Sequence, residues 1–413
     1  MVGWVATAQR VAADGVQAGY NVLDPGSLYP PAFFYPLWLT GKLYTLCCSP
    51  TFATDTHSLD VLMRVGPVVA DAALAVLVYC LALGWSGPSR ARWAGLLYAL
   101  NPAVLATVAW QGMIGDAYYA SLLVLALLCV LRGQVVPSAV CLTVAVLVKP
   151  QALAFVPLLG LLVLTRADAR QLLVALVASA LAVLLVMLPF VAHGALGDVA
   201  AALPAMGALH ANTQNHADNL WLLLPVWRGA VAADPNGAVP DNTVLVAGLT
   251  YLAVGLLAFA ALYAGVLVRL VRGGTARDVA FAAAIIGLGF FFLSTRMHVN
   301  YVFLAFPFLC ALAPSGGSRV RLALGAVTLA CLVGWDVPSH LPWLVHRANA
   351  VLYGGSLALL CALAFRAPER RARPGRGAPW QGAAASAARW TRSAGELHHP
   401  ELSQSAAQGD TSA

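Results

Sequence analysis

Long apolar runs separated by short polar or basic connections make up most of this chain. A helix that crosses a bilayer needs about 17–25 mostly apolar residues. Several runs are short and contain proline, and such broken spans are tolerated where neighbouring helices or cavity water satisfy the freed carbonyls. The pattern predicts an all-α polytopic transmembrane bundle of about eleven spans, at 61–84, 92–110, 116–131, 134–148, 151–165, 171–192, 243–268, 278–294, 299–313, 321–336 and 348–366.

The composition agrees with a membrane protein. Hydrophobic residues make up 60% of the 413 positions and charged residues only 10%, whereas soluble domains carry about 25% charged residues. This excludes an ordinary soluble enzyme, a disordered chain and a nucleic-acid binder, although the formal net charge is +7. The eight cysteines form no C-x-x-C pair, and we interpret them as small core residues.

The basic residues predict the orientation. We place one group of connections on the same side of the membrane: 90–92, 132, 166–170, 269–277, 319–321 and the tail from 366 onward. This side then holds 17 of the 24 Lys and Arg residues, and the other side holds seven. The positive-inside rule makes the richer side cytoplasmic. We therefore expect an integral inner (plasma) membrane protein whose C-terminal tail is cytoplasmic.

This orientation divides the chain into three parts. Residues 1–60 form an extracytoplasmic segment in which Ala32–Leu46 is a re-entrant or interfacial helix, since a crossing there would invert every later connection. Residues 61–366 form the bundle, with an outer loop at 193–242. Residues 367–413 are rich in Ala, Arg, Gly and Pro and are predicted to be a disordered basic tail.

The start of the chain carries one further expectation. Met1–Gln17 lacks a basic segment followed by an apolar one, so it is not a signal peptide. The orientation nevertheless places the N-terminus outside. We therefore expect a transmembrane helix ahead of Met1 in the full gene product.

Polar residues at the span ends collect on the outer face. They occur in Trp110–Asp116, Lys149–Gln151, His210–Trp221, Ser294–Tyr301 and Asp24–Pro31. The cytoplasmic connections offer little beyond Arg, Gly, Ser and Thr. This asymmetry predicts an extracytoplasmic active site.

Simpler roles stay open for several of these residues. Asp116 has the position of a helix cap, Lys149 could extend its ammonium to the interface, and Arg296 with His298 could anchor a helix end. Asp71 lies inside the first span, where an unpaired carboxylate is costly. It therefore needs a polar cavity or a buried partner, such as Arg64.

Several motifs, taken in order, resemble a known family. The strings LYPPAFFYPLW, LNPAVLATVAWQGMIGDAYYASLLVLALL, VLVKPQALAFVPLL, NLWLLL and FFFLSTRMHVNYVFLAFPFL are similar to bacterial members of the GT-C superfamily, specifically glycosyltransferase family 87. The resemblance covers about residues 1–365. It implies a GT-C bundle that moves a sugar, mannose in most members, from a polyprenyl-phosphate donor to an envelope glycolipid or polysaccharide, with inversion.

The chain departs from the family pattern in two motifs. The family's Trp-Gly-Gln-x-Asp turn is two residues longer here, and its Arg-x-His-Glu-Arg-Tyr pattern is Arg296-Met-His298-Val-Asn-Tyr301. The essential acid that these enzymes keep in the first outer loop falls at or before Met1. The resemblance therefore agrees with a missing first helix, and the catalytic base could lie upstream.

The expected chemistry assigns roles to the outer-face residues. Transfer needs a carboxylate as general base and cations for the departing phosphate. We predict Asp116, or else Asp24, as the catalytic base. We predict that the donor phosphate is bound by Lys149, Arg296 and His298, and that sugar or acceptor is bound by Trp110, Gln111, Asn219, Trp221 and Tyr29.

Cofactors and rival functions complete the expectation. No metal site is assigned, because His216 and Asp218 form no recognised ligand spacing, and a divalent metal ion stays an open alternative. The expected partners are the lipid-linked donor, the glycolipid or polysaccharide acceptor and membrane lipid, without nucleic acid. The rival functions are a transporter or flippase and a non-catalytic binder of lipid-linked sugar.

Overall fold

The computed structural model describes residues 2–20, 28–54, 56–112, 114–208, 211–224, 238–336 and 343–366. The expected base Asp24 and the predicted disordered tail at 367–413 lie outside these residues. The described helices are α1 Val2–Asp14, α2 Phe34–Cys47, α3 His57–Leu83, α4 Pro88–Ala99, α5 Pro102–Leu105, α6 Ile114–Leu131, α7 Val135–Val148, α8 Val156–Leu164, α9 Ala169–Ala192, α10 Leu196–Ala208, α11 Tyr251–Val271, α12 Ala276–Leu293, α13 Phe306–Leu312, α14 Gly317–Asp336 and α15 Trp343–Phe365.

Seven helical segments in the described part of the chain are long and apolar enough to cross a membrane. Each coincides with a span predicted from the sequence, which confirms a helical bundle of the membrane type. The segments are His57–Leu83, Pro88–Trp110, Ala169–Ala192, Tyr251–Val271, Ala276–Leu293, Gly317–Trp335 and Leu344–Phe365.

The other four predicted spans coincide with shorter apolar helices. These are Gly115–Leu131, Val135–Val148, Pro150–Leu164 and Val299–Leu312. Two of them begin with a 3₁₀ segment, Pro150–Phe155 ahead of α8 and Val299–Ala305 ahead of α13. A 3₁₀ segment is tighter than an α-helix and is common at helix ends. The number of bilayer crossings stays a prediction.

Several predicted spans begin a few residues away from the helix starts, and two of these differences have a clear local reason. Helix α3 begins four residues early, because the side chain of Thr56 accepts a hydrogen bond from the Leu59 amide and caps it. Helix α11 begins only at Tyr251, because a short antiparallel hairpin of β1 (Val244–Val246) and β2 (Leu249–Thr250) precedes it. Ala247 and Gly248 turn this hairpin with φ of 49° and 80°, the left-handed geometry of tight hairpins.

Helix α12 lies at the centre of the bundle and α9 at its edge. In α12, 72% of the apolar window is buried inside the protein, compared with 6% in α9. Helix α12 packs on α11, α13 and α15, whereas α9 packs mainly on α7. The chain leaving α12 therefore carries Ser294–Tyr301 directly into the centre of the fold.

Asp71 finds its partner on a neighbouring helix. Its carboxylate accepts a 2.6 Å hydrogen bond from the Tyr98 hydroxyl of α4, and both side chains are buried. The suggested partner, Arg64, is therefore not the residue that satisfies it. The aromatic hydroxyl was missed because α3 and α4 become neighbours only through tertiary packing.

Helices α1 and α2 cross closely at Gly41. A Cβ atom placed there would lie 2.6 Å from the Ala8 carbonyl oxygen and 2.7 Å from the Ala12 Cβ. Because the obstructing atoms belong to backbone or to a short side chain, they cannot rotate away. Small residues allow such close backbone approach between helices in membranes.

We expect Gly41→Ala to destabilise the protein by about 1–3 kcal/mol, the usual cost of overpacking. The matched control is Gly325→Ala in α14, where a Cβ meets nothing within 4 Å. Thermal unfolding in detergent measures both variants. Equal melting temperatures for Gly41→Ala and the wild type would contradict the close crossing.

Candidate functional site

Asp116 and Lys149 form a buried ion pair. The Lys149 Nζ lies 2.7 Å from Asp116 Oδ1, and the two side chains are 3% and 1% exposed. Asp116 lies in the first turn of α6, and Lys149 directly follows α7. The sequence predicted both residues at one face of the membrane, and the structure brings them into contact.

Asn300 completes the coordination of this carboxylate. Its Nδ2 donates to Asp116 Oδ2 at 2.8 Å, while its Oδ1 lies 2.7 Å from His298 Nδ1. Each oxygen of Asp116 therefore accepts a hydrogen bond from a buried donor. Asn300 was noted in the sequence only as a departure from a motif, and its role depends on a contact across 184 residues.

Aromatic rings surround the ammonium group. Lys149 Nζ lies 5.3 Å from the centroid of the Tyr119 ring and 5.1 Å from that of Tyr301, within the roughly 6 Å over which a cation is attracted to a ring face. A Cβ at Gly115 would lie 3.3 Å from the Phe33 ring and 3.6 Å from the Lys149 side chain. The ion pair is therefore buried among closely packed aromatic side chains.

Tyr29 belongs to the same surroundings. Its ring stacks on Phe33 with centroids 4.1 Å apart. Burial raises the pKa of its hydroxyl well above the usual value, with smaller contributions from Tyr301 and Asp116. The structure thus places this predicted sugar-binding residue close to the ion pair.

An apolar cavity of about 510 Å³ is lined in part by α6 and α7, the helices that carry or precede the two charged residues. Tyr118, two residues after Asp116, and Val148, which precedes Lys149, both line it. Its other walls come from the start of α2 and from α3, α6, α7 and α9, and its surface is almost entirely apolar. A charged pair and a space suited to hydrocarbon are therefore built from the same helices.

Arg296 is engaged elsewhere. Its Nε donates to Asp241 Oδ2 at 2.6 Å, its Nη2 to Asp241 Oδ1 at 3.2 Å and its Nη1 to the Gly207 carbonyl. The hydrogen bond with Asp241 raises the pKa of the guanidinium above its usual value. Arg296 therefore joins Asp241 to the Gly207 backbone. A phosphate site shared with Lys149 would require the guanidinium to lie beside that lysine, and none of its described hydrogen bonds places it there.

Asn219 and Trp221 are also committed to internal contacts. Asn219 Nδ2 donates to the carbonyls of Thr213 and Ser294 at 3.2 and 3.3 Å, and Trp221 Nε1 donates to the Ser294 carbonyl at 3.0 Å. The residues are 0% and 5% exposed. They hold the loop 211–224 against the end of α12, and their contact with sugar stays a prediction.

Trp110 and Gln111 end the π-helical turn Ala106–Trp110. Trp110 is 77% exposed and Gln111 is half-buried. Their contact with a sugar or acceptor stays a prediction.

Asp218 forms a second buried polar cluster that sequence analysis missed. His346 Nδ1 lies 3.0 Å from Asp218 Oδ1, and Asn349 Nδ2 donates to Asp218 Oδ2 at 3.0 Å. Burial raises the pKa of the Asp218 carboxyl, while the hydrogen bonds from Asn349 and His346 act in the opposite direction. The contact joins residues 128 positions apart, so no local pattern could have indicated it.

The described residues contain no group of three or more His, Cys, Asp or Glu side chains placed to hold a metal ion. His216 contributes to an aromatic contact instead, with its ring centroid 6.1 Å from that of His298.

Comparison with known proteins does not identify a family for this chain. No protein-family model matches the chain, and no curated protein is similar to it.

We expect Asp116→Asn to lower the free energy of unfolding by about 3–5 kcal/mol, because it leaves the Lys149 charge buried without its carboxylate. Adding Lys149→Met removes that charge, so the double variant recovers most of the loss. Asp60→Asn on the exposed first turn of α3 is the matched control. Thermal unfolding in detergent measures the cycle, and additive losses in the double variant would contradict the coupling.

Proposed function

We propose that the chain is a membrane glycosyltransferase of the GT-C type. It takes a sugar, mannose by the family resemblance, from a polyprenyl-phosphate donor. It transfers that sugar with inversion to an envelope glycolipid or polysaccharide on the extracytoplasmic face. The proposal includes about eleven spans and a cytoplasmic C-terminal tail.

One observation carries the proposal: the same two helices, α6 and α7, bring the buried ion pair together and line an apolar cavity. The Lys149 ammonium lies 2.7 Å from Asp116, and the residue before Lys149 lines a cavity of about 510 Å³. A lipid phosphate has one anionic end and one hydrocarbon end. Such a molecule can place its phosphate at Lys149 and its hydrocarbon chain in the cavity. A water-soluble nucleotide sugar has no hydrocarbon chain to fill an apolar cavity.

Lys149 is suited to stabilise a leaving phosphate. The chain has only two lysines, Lys42 and Lys149, and Lys149 is the buried one. Its ammonium carries three donors, of which one is used by Asp116, so two remain for phosphate oxygens. In a dry site these charge-assisted bonds are stronger than in water.

Asp116 and Asn300 then position this ammonium. The carboxylate holds the Lys149 side chain in place at 2.7 Å, and Asn300 donates to the second oxygen at 2.8 Å. Because both oxygens accept bonds from buried donors, a role for Asp116 as proton acceptor requires Lys149 to turn toward the phosphate first. His298, hydrogen-bonded to Asn300, extends this polar group toward the acceptor. We call Lys149, Asp116, Asn300 and His298 the polar layer.

A second candidate is a non-catalytic binder of lipid-linked sugar. The occupied oxygens of Asp116 favour it, since a binder needs the cation and the cavity but no free base. Donor turnover separates the two functions, because a binder retains the labelled lipid unchanged.

The test uses protein in nanodiscs with radiolabelled polyprenyl-phosphate-mannose and an alkyl mannoside acceptor. We expect Lys149→Gln to reduce transfer by at least about 100-fold, comparable to losing one preorganised donor to a developing anion. Lys42→Gln on the exposed face of α2 is expected to keep wild-type activity.

Two results would count against the proposal. Wild-type protein that binds the labelled donor and never transfers its sugar points to the binder. Lys149→Gln with unchanged donor affinity and unchanged rate removes Lys149 from the phosphate site.

A further inference from the structure

The Asp218 cluster has the geometry of a carboxylate–histidine dyad. His346 and Asn349 lie three residues apart on one face of α15, and both reach the same buried carboxylate. Asn349 also donates to the Ala330 carbonyl of α14 at 3.3 Å. The carboxylate is therefore fixed, and it holds the imidazole in one orientation.

This orientation determines which tautomer of the His346 imidazole fits the contact. An Nδ1–H that donates to a carboxylate leaves Nε2 as the proton-accepting nitrogen. None of the hydrogen bonds among the described residues uses Nε2 of His346, and the side chain keeps 20% of its surface exposed. His346 is thus an imidazole that the carboxylate orients and whose Nε2 has no hydrogen-bond partner within the described part of the chain.

The dyad lies near the polar layer. A Cβ at Gly334 would lie 3.0 Å from Val299 and 3.9 Å from Asp218 Oδ2. The next residue, Trp335, has its ring centroid 6.0 Å from that of His298. Gly334 and Trp335 of α14 therefore connect the dyad with the segment that carries His298 and Asn300.

A displacement at a sugar carbon needs the base and the phosphate-binding cation on opposite faces of the sugar. The incoming hydroxyl approaches from the face opposite the departing phosphate, about 3–3.5 Å from the reacting carbon. Its base lies a further 2.6–3.2 Å or so away. A base and a phosphate-binding cation in direct contact, as Asp116 and Lys149 are, cannot occupy both faces of one sugar.

We infer that His346, held by Asp218, is the general base that accepts the proton of the acceptor hydroxyl. The inference rests on the proposed function. The acceptor oxygen forms a bond to the anomeric carbon while the bond from that carbon to the phosphate oxygen breaks, and its electron pair leaves with the polyprenyl phosphate. The hydroxyl proton goes to Nε2 of His346 and is later released to water.

The experiment compares His346→Ala with wild type in the same nanodisc assay, with and without added imidazole. We expect a loss of about 10²–10⁴-fold in kcat, the usual contribution of a general base, with unchanged binding of polyprenyl phosphate. Imidazole is expected to restore at least a tenth of the rate. The control is His193→Ala, an exposed histidine at the end of α9, which is expected to keep its activity.

A second variant covers a failure of His346→Ala to fold. His346→Gln can still donate to Asp218 but cannot accept the proton at the required position, so it is expected to bind polyprenyl phosphate and lose the same factor in kcat. Asp218→Asn, which no longer fixes the tautomer, is expected to lower kcat and keep KM.

The outcomes separate the two proposals. Wild-type transfer together with near-wild-type transfer by His346→Ala or His346→Gln overturns the role of His346 and leaves the proposed function intact. Loss of transfer together with loss of polyprenyl-phosphate binding, without rescue by imidazole, also overturns it, because the residue is then structural. Wild-type protein that transfers no sugar overturns the proposed function, and the inference falls with it.

Discussion

The buried contact between Asp116 and Lys149 is the constraint on which the centre of this protein depends. Removing two charges from water costs several kcal/mol for each ion, and only good geometry with further hydrogen bonds offsets that cost. Asn300 supplies the further bond at 2.8 Å. The start of α6, the end of α7 and the segment after α12 must therefore meet at one point, which fixes how the surrounding helices pack.

The choice of an amide at position 300 follows from this constraint. A second carboxylate there would face the negative charge of Asp116 at hydrogen-bond distance, in surroundings where like charges repel strongly. Asparagine presents a donor to Asp116 and an acceptor to His298 instead. What the sequence presents as a departure from a motif is, in the folded protein, the residue that satisfies the buried carboxylate.

The bundle could be predicted from the sequence to a large extent, whereas only part of the site could. Hydropathy locates the long helices because each one buries its own backbone hydrogen bonds locally. It also placed Asp116 and Lys149 at the same end. It could not show which polar residues are free for a ligand. The loop 211–224 has little regular structure, so its backbone needs partners. Asn219 donates to the Thr213 carbonyl and accepts from the Trp221 amide, while the Arg296 side chain is occupied by Asp241 and Gly207.

The buried carboxylates of Asp116 and Asp218 suit different tasks because their partners differ. Asp116 faces a lysine, whose ammonium carries donors for more than one acceptor. In the proposed function, Lys149 donates to oxygens of the lipid phosphate as well as to Asp116. Asp218 faces a histidine, the side chain that exchanges protons near neutral pH. In the proposed mechanism, charge stabilisation and proton transfer are thus assigned to different side chains, as a displacement between a phosphate and a hydroxyl requires.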